Sequence, residues 1–160
     1  MSTSPETSEK SVYYERVLPS VGSLLVSVLL LPLMSLVFLP ILGTFWSLAV
    51  GTVVSLAAAL TMIAASPVIS VTKAGGLTWL RIARARIETR HLGEIETVPF
   101  DQQRLERGPK LDARAFVYFQ AGVRPMLKVE IRDPKDPTPY WLFSTRKPEK
   151  LKMVLERENV

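Results

Sequence analysis

Between Val17 and Thr72 the chain runs 56 residues without an Asp, Glu, Lys, Arg or His. A surface helix or loop of a water-soluble domain needs a solvated face, so this run excludes a purely soluble protein. One bilayer crossing takes about 20 apolar residues. The run is too long for one crossing and long enough for two with a tight turn. The turn falls in Pro40-Ile41-Leu42-Gly43-Thr44, where proline and glycine end one helix and start the next. The pattern predicts a transmembrane hairpin over 17–67, with helices at about 19–39 and 45–65, behind a leader of residues 1–16. Pro32 predicts a kink in the first helix. Ser66-Pro67 ends the second, because the residue before a proline disfavours helix. A cleaved signal peptide fits poorly, since the apolar stretch is long and no small-residue cleavage site follows it.

After Pro67 the period changes. Val68–Thr72 is β-branched and alternating, and Ala74-Gly75-Gly76 signals a hairpin turn. Leu77–Ile87 reads as a strand, with a helix as the alternative. Leu92–Val98 and Ala113–Phe119 read as further strands, and Phe100–Lys110 as a loop with one helical turn. Met126–Arg132 places Leu127, Val129 and Ile131 on one face and Lys128, Glu130 and Arg132 on the other. Tyr140–Thr145 is the last strand. Pro148, Glu149, Leu151, Val154 and Leu155 then mark a final helix. Residues 68–160 are therefore expected to form an α+β domain, a small antiparallel β sandwich or barrel of six strands with a C-terminal helix. Its architecture is pleckstrin-homology-like by analogy.

Charge sharpens the picture. The net charge is +5, but residues 1–16 sum to −1 and residues 73–160 to +6. Lys10 and Arg16 precede the apolar run, basic residues follow it, and the turn carries no charge. The positive-inside rule then places a multi-pass protein in the inner (cytoplasmic) membrane with both termini in the cytoplasm. Lys73, Arg81, Arg84, Arg86, Arg90 and Arg114 are the candidates for an anionic lipid surface, or else serve only to set topology. Nucleic acid is not expected, because no basic-aromatic signature accompanies the charge. The chain has no cysteine and one histidine, which excludes thiolate chemistry and multi-histidine metal sites.

Small residues recur every fourth position in the second helix, at Gly43, Ser47, Gly51, Ser55 and Ala59, with Ser23, Ser27 and Ser35 in the first. This spacing keeps them on one face, for packing within the hairpin or for a homo-oligomer or membrane-protein partner. In the β domain, Ser144, Thr145 and Arg146 precede a helix start, where they either cap it or hold an anion. Asp133 and Asp136 form an acid/base pair or, as Asp-Pro steps, build turns. His91, Glu94 and Glu96 have the wrong strand parity to converge on a metal, so neither metal nor cofactor is expected. Trp79 and Arg81 share a parity, and Tyr140 and Trp141 alternate faces.

The stretch Asp133–Pro148, reading DPKDPTPYWLFSTRKP, is similar to the signature of a family of small actinobacterial membrane proteins, domain of unknown function 3093. The Tyr14-Glu15-Arg16 leader, the apolar hairpin, Ser66-Pro67, Leu92-Gly93 and Asp112–Ala115 resemble it as well. The chain departs from the family's glycine and proline at Arg84-Ala85-Arg86-Ile87-Glu88. The resemblance implies a bacterial inner-membrane protein and brings no activity. The expected role is a non-enzymatic membrane-anchored module whose cytoplasmic domain binds a protein partner or anionic headgroups. The alternatives are an accessory subunit of a larger membrane complex, or a hydrolase or transferase acting on lipid-linked substrates through Asp133, Asp136 and Arg146.

Overall fold

The computed structural model describes residues 10–159. They divide into two units: residues 18–66 with 120–122, and residues 10–17, 67–119 and 123–159.

The first unit is helical. Ser20 opens it as an N-cap, its Oγ accepting the Ser23 amide at 3.1 Å. Helix α1 spans Val21–Val28 and α2 spans Leu30–Ala64. The break at Leu29 lies three residues before Pro32, whose ring displaces the carbonyl one turn back. Inside α2, Gly43 has φ 72° and ψ 172°, a region open essentially to glycine alone. There the chain doubles back. Ser55 Oγ donates to the Ser27 carbonyl at 2.9 Å, whereas an unbroken helix would hold those residues about 42 Å apart. The helical run is thus one segment folded at Gly43, rather than two helices separated by a five-residue turn. Ser47, Gly51 and Ser55 are buried along the seam. A Cβ at Gly51 would overlap the Leu31 carbonyl and Ser35 Oγ, so the arms touch through backbone. Ala59 is half-buried.

The second unit holds eight strands among the described residues. They are β1 (Lys10–Arg16), β2 (Val68–Ala74), β3 (Leu77–Ile82), β4 (Ala85–Glu88), β5 (Leu92–Val98), β6 (Phe116–Tyr118), β7 (Met126–Ile131) and β8 (Tyr140–Ser144). One sheet has the order β1-β2-β3-β4, the other β5-β7-β8-β6. Gly75 and Gly76, at φ 60° and 81°, make the two-residue β2–β3 turn. Helix α3 is one turn, Gln103–Glu106, and α4 spans Pro148–Glu158. The facing sides of both sheets and α4 share one core. Ile69, Val71 and Leu80 meet Leu127, Val129 and Phe143 there, with Leu151 and Leu155 against them.

Several expectations are corrected. The leader contains an ordered strand, β1, antiparallel to β2 with Arg16 opposite Val68. Leu77–Ile87 is two strands, with Ile82 paired to Ala85 across an Ala83-Arg84 turn in which Ala83 takes φ 51°. The sheets are not wholly antiparallel: β6 runs parallel to β8 and is cut to three residues. At the start of α4 the N-cap residue Lys147 makes no side-chain cap of its own, while the Thr145 hydroxyl accepts the Lys147 amide at 3.2 Å.

Candidate functional site

The corner between β8 and α4, where the sequence allows either a helix cap or an anion site, receives the side chain of Glu15. Strand alternation turns Tyr13 and Glu15 of β1 inward. Glu15 is 8% exposed. Its carboxylate accepts the Thr145 hydroxyl at 2.7 Å, the Arg146 amide at 2.7 Å and the Tyr13 hydroxyl at 2.6 Å. Burial, and then the adjoining Glu15 carboxylate, push the Tyr13 phenol above its ordinary range. Ser144 is buried beside this knot. The cluster ties the strand before the apolar segment to the strand before α4. As chemistry, it is a buried hydrogen-bond network around one carboxylate.

Asp133 Oδ1 accepts the Lys135 amide and Asp136 Oδ1 accepts the Thr138 amide, each at 2.9 Å. Each carboxylate closes its own turn. His91 lies in a single 3-10 turn, its Nε2 3.3 Å from Arg90 Nε. Among the described residues no group of three His, Asp or Glu side chains converges as metal ligands would.

The six basic candidates separate into two sets. Lys73 pairs with Glu158 at 2.5 Å, Arg90 with Glu88 at 2.6 Å and Arg114 with Asp112 at 3.0 Å. Lys73 sits at the β2–β3 turn end of its sheet, opposite Thr78. Arg81, Arg84 and Arg86 gather at the other end, where Ile82 faces Ile69 and the Val17 amide donates to the Pro67 carbonyl. All three are exposed and none forms an ion pair. Arg86 stacks on Trp79, 4.0 Å from the ring centroid. Trp141 enters the core at 3% exposed, while Tyr140 is half-buried under Lys128. Burial lowers Lys128, but the Glu106 carboxylate at 2.7 Å outweighs it and holds the ammonium above its ordinary range.

The family model described as Protein of unknown function (DUF3093) matches residues 12–155. The chain belongs to this family. No curated protein and no solved structure matches it. The match opens within β1 and closes at Leu155, the last core residue of α4, so the DUF3093 unit includes the Tyr13–Glu15 latch and the apolar segment alike.

Sequence reasoning missed two features of this DUF3093 chain. Glu15 was noted only as leader charge, although its flanking Tyr13 and Val17 have the parity of a core strand. Arg104, Arg107 and Arg124 carry no shared local pattern, yet they and Phe100 line one open groove.

Proposed function

We propose that this DUF3093 chain is a non-enzymatic inner-membrane module. Its apolar segment crosses the bilayer twice, and its pleckstrin-homology-like β domain stays on the cytoplasmic side, where it engages anionic headgroups. The carrying observation is that residues 21–64 are long and apolar enough to span and present their large side chains outward. Phe45 is 76% exposed, Ile41 75% and Leu36 68%. Water would penalise that surface heavily and lipid would not. The arms 21–42 and 44–64 each have the ~20 residues a crossing requires. Both junctions of the β domain with this segment, Val17 and Pro67, lie side by side at one sheet end, which supports placing both flanks on one face of the membrane. Arg81, Arg84 and Arg86 share that sheet end without carboxylate partners. Each cation near an anionic leaflet adds roughly 1 kcal/mol of attraction. The small residues are consumed by the hairpin seam, which favours internal packing over an accessory subunit docked on that stripe. The separate turns of Asp133 and Asp136 give no support to a hydrolase or transferase.

The test is extraction. The full chain expressed in bacteria is expected in the membrane pellet after alkaline carbonate, released only by detergent. Replacing Arg81, Arg84 and Arg86 with Gln should leave it there and lower the protection of the β3–β4 hairpin from protease in phosphatidylglycerol vesicles. Recovery of intact chain in the carbonate supernatant refutes the anchor, and unchanged protection refutes the headgroup contact.

A further inference from the structure

A groove of about 540 Å³ opens between the segment 99–107 and the residues following Gly122. Its size falls within the roughly 300–1,000 Å³ of small-molecule sites. Arg104, Arg107 and Arg124 line it, with Phe100 and Gln103. None of the three guanidiniums makes an ion pair. The one carboxylate on α3, Glu106, is taken by Lys128 at 2.7 Å and Lys110 at 3.7 Å. Asp101 is exposed and pairs with none of them. Three like charges on one concavity repel each other, and the described residues offer nothing to offset that.

Two of the three guanidiniums are also held in place. Arg107 lies 4.4 Å over the Phe119 ring and Arg124 5.3 Å over Phe100. Stacking uses a guanidinium's face and leaves its in-plane N–H fork free for a planar or tetrahedral oxyanion. The scaffold beneath is tied down: the Gln102 and Gln103 amides donate to the Pro99 carbonyl, and the Gln103 side chain donates to the Val98 carbonyl. Phe100 remains 66% exposed, an apolar surface beside the cations.

We infer that this groove binds a phosphate ester, its phosphoryl oxygens taken by the Arg104, Arg107 and Arg124 forks and its organic part lying on Phe100. Carboxylates match a single fork, whereas three forks suit an oxyanion with several equivalent oxygens. The chemistry is shared by a lipid phosphate and a soluble phosphate ester. The inference does not require the chain to span a membrane.

The test is calorimetric titration of the purified full chain in a neutral detergent with glycerol 3-phosphate, with dihexanoyl phosphatidic acid, and with dihexanoyl phosphatidylcholine as the zwitterionic control. Either phosphate monoester should bind, and Arg104→Gln with Arg107→Gln should weaken binding about tenfold or more per guanidinium removed. Lys135→Gln with Lys150→Gln, both exposed and remote in sequence from the groove, should leave it unchanged. Arg107→Lys, which keeps the charge and loses the fork, should fall between. Binding of both monoesters with similar affinity makes the source soluble; binding of phosphatidic acid alone makes it a lipid. The inference is overturned if neither monoester binds, or if the Lys135/Lys150 variant loses as much as the groove variant. A matching circular dichroism melt for each variant separates lost binding from lost folding.

Discussion

Glu15 is the side chain whose removal should cost the β domain most for its size. It accepts three hydrogen bonds, two from buried side chains: Thr145 is 0% exposed and Tyr13 6%. Replacing Glu15 with Ala strands two buried hydroxyls and one amide. Each orphaned buried group costs about 1–3 kcal/mol, so the two buried hydroxyls together give about 2–6 kcal/mol. That is a large share of the roughly 5–15 kcal/mol that holds a typical domain together. Glu15→Gln should be milder. Its carbonyl can take the Arg146 amide on the Oε1 side, while its amide donates to the Tyr13 and Thr145 hydroxyls, which can rotate to accept. Only the charge-assisted part is lost, about 1–2 kcal/mol. Pulse proteolysis of the full chain in detergent over a urea series measures both. If the Ala variant unfolds at the wild-type urea concentration, or if Gln costs as much as Ala, the three-bond account of Glu15 is wrong.

Further outcomes follow from the same geometry. The raised Tyr13 phenol stabilises the fold below the ordinary tyrosine value near 10, and that stability should drain as pH rises beyond it. Tyr13→Phe should flatten this alkaline loss in a pH series of melting curves. Lys73, with Arg157 assisting, holds the Glu158 carboxyl below its ordinary 4.5. Its contribution is present above that value and lost as pH falls beneath it, so Lys73→Gln should shrink the acid-side decline. Gly51→Leu should push the helical arms apart, because the Leu31 carbonyl cannot move aside. Chains carrying Ser27→Cys and Ser55→Cys should join with a short bis-maleimide in high yield, and adding Gly51→Leu should reduce that yield severalfold.

Much of the architecture could be seen in the residues because it follows from periodicity. The apolar run, the Gly75-Gly76 turn, the Met126–Ile131 strand and the amphipathic last helix each carry a local signal. What escaped lacked one. Strand β1 hides behind Glu15, a charge at an inward position, and behind the register slip between Ser11 and Tyr13. The β3–β4 turn has no glycine or asparagine, and Ala83 adopts positive φ instead. The parallel β6–β8 pairing spans 25 residues of chain and leaves no trace in three residues of pattern. At the candidate site, residue types were informative but partners were not. The partner of the corner at Thr145 and Arg146 is Glu15, 130 residues earlier. The arginines of the groove converge only because α3 and the residues after Gly122 are brought together by the fold.

The central claim is that the segment 21–64 crosses the membrane twice, leaving the β domain inside. The absence of native cysteine makes this directly measurable. Thr44→Cys and Lys150→Cys are introduced one at a time, and intact cells with a permeabilised outer layer are treated with a membrane-impermeant maleimide. The account predicts labelling at position 44 from outside, and at position 150 only after the inner membrane is broken. Labelling of position 150 in intact cells would contradict it.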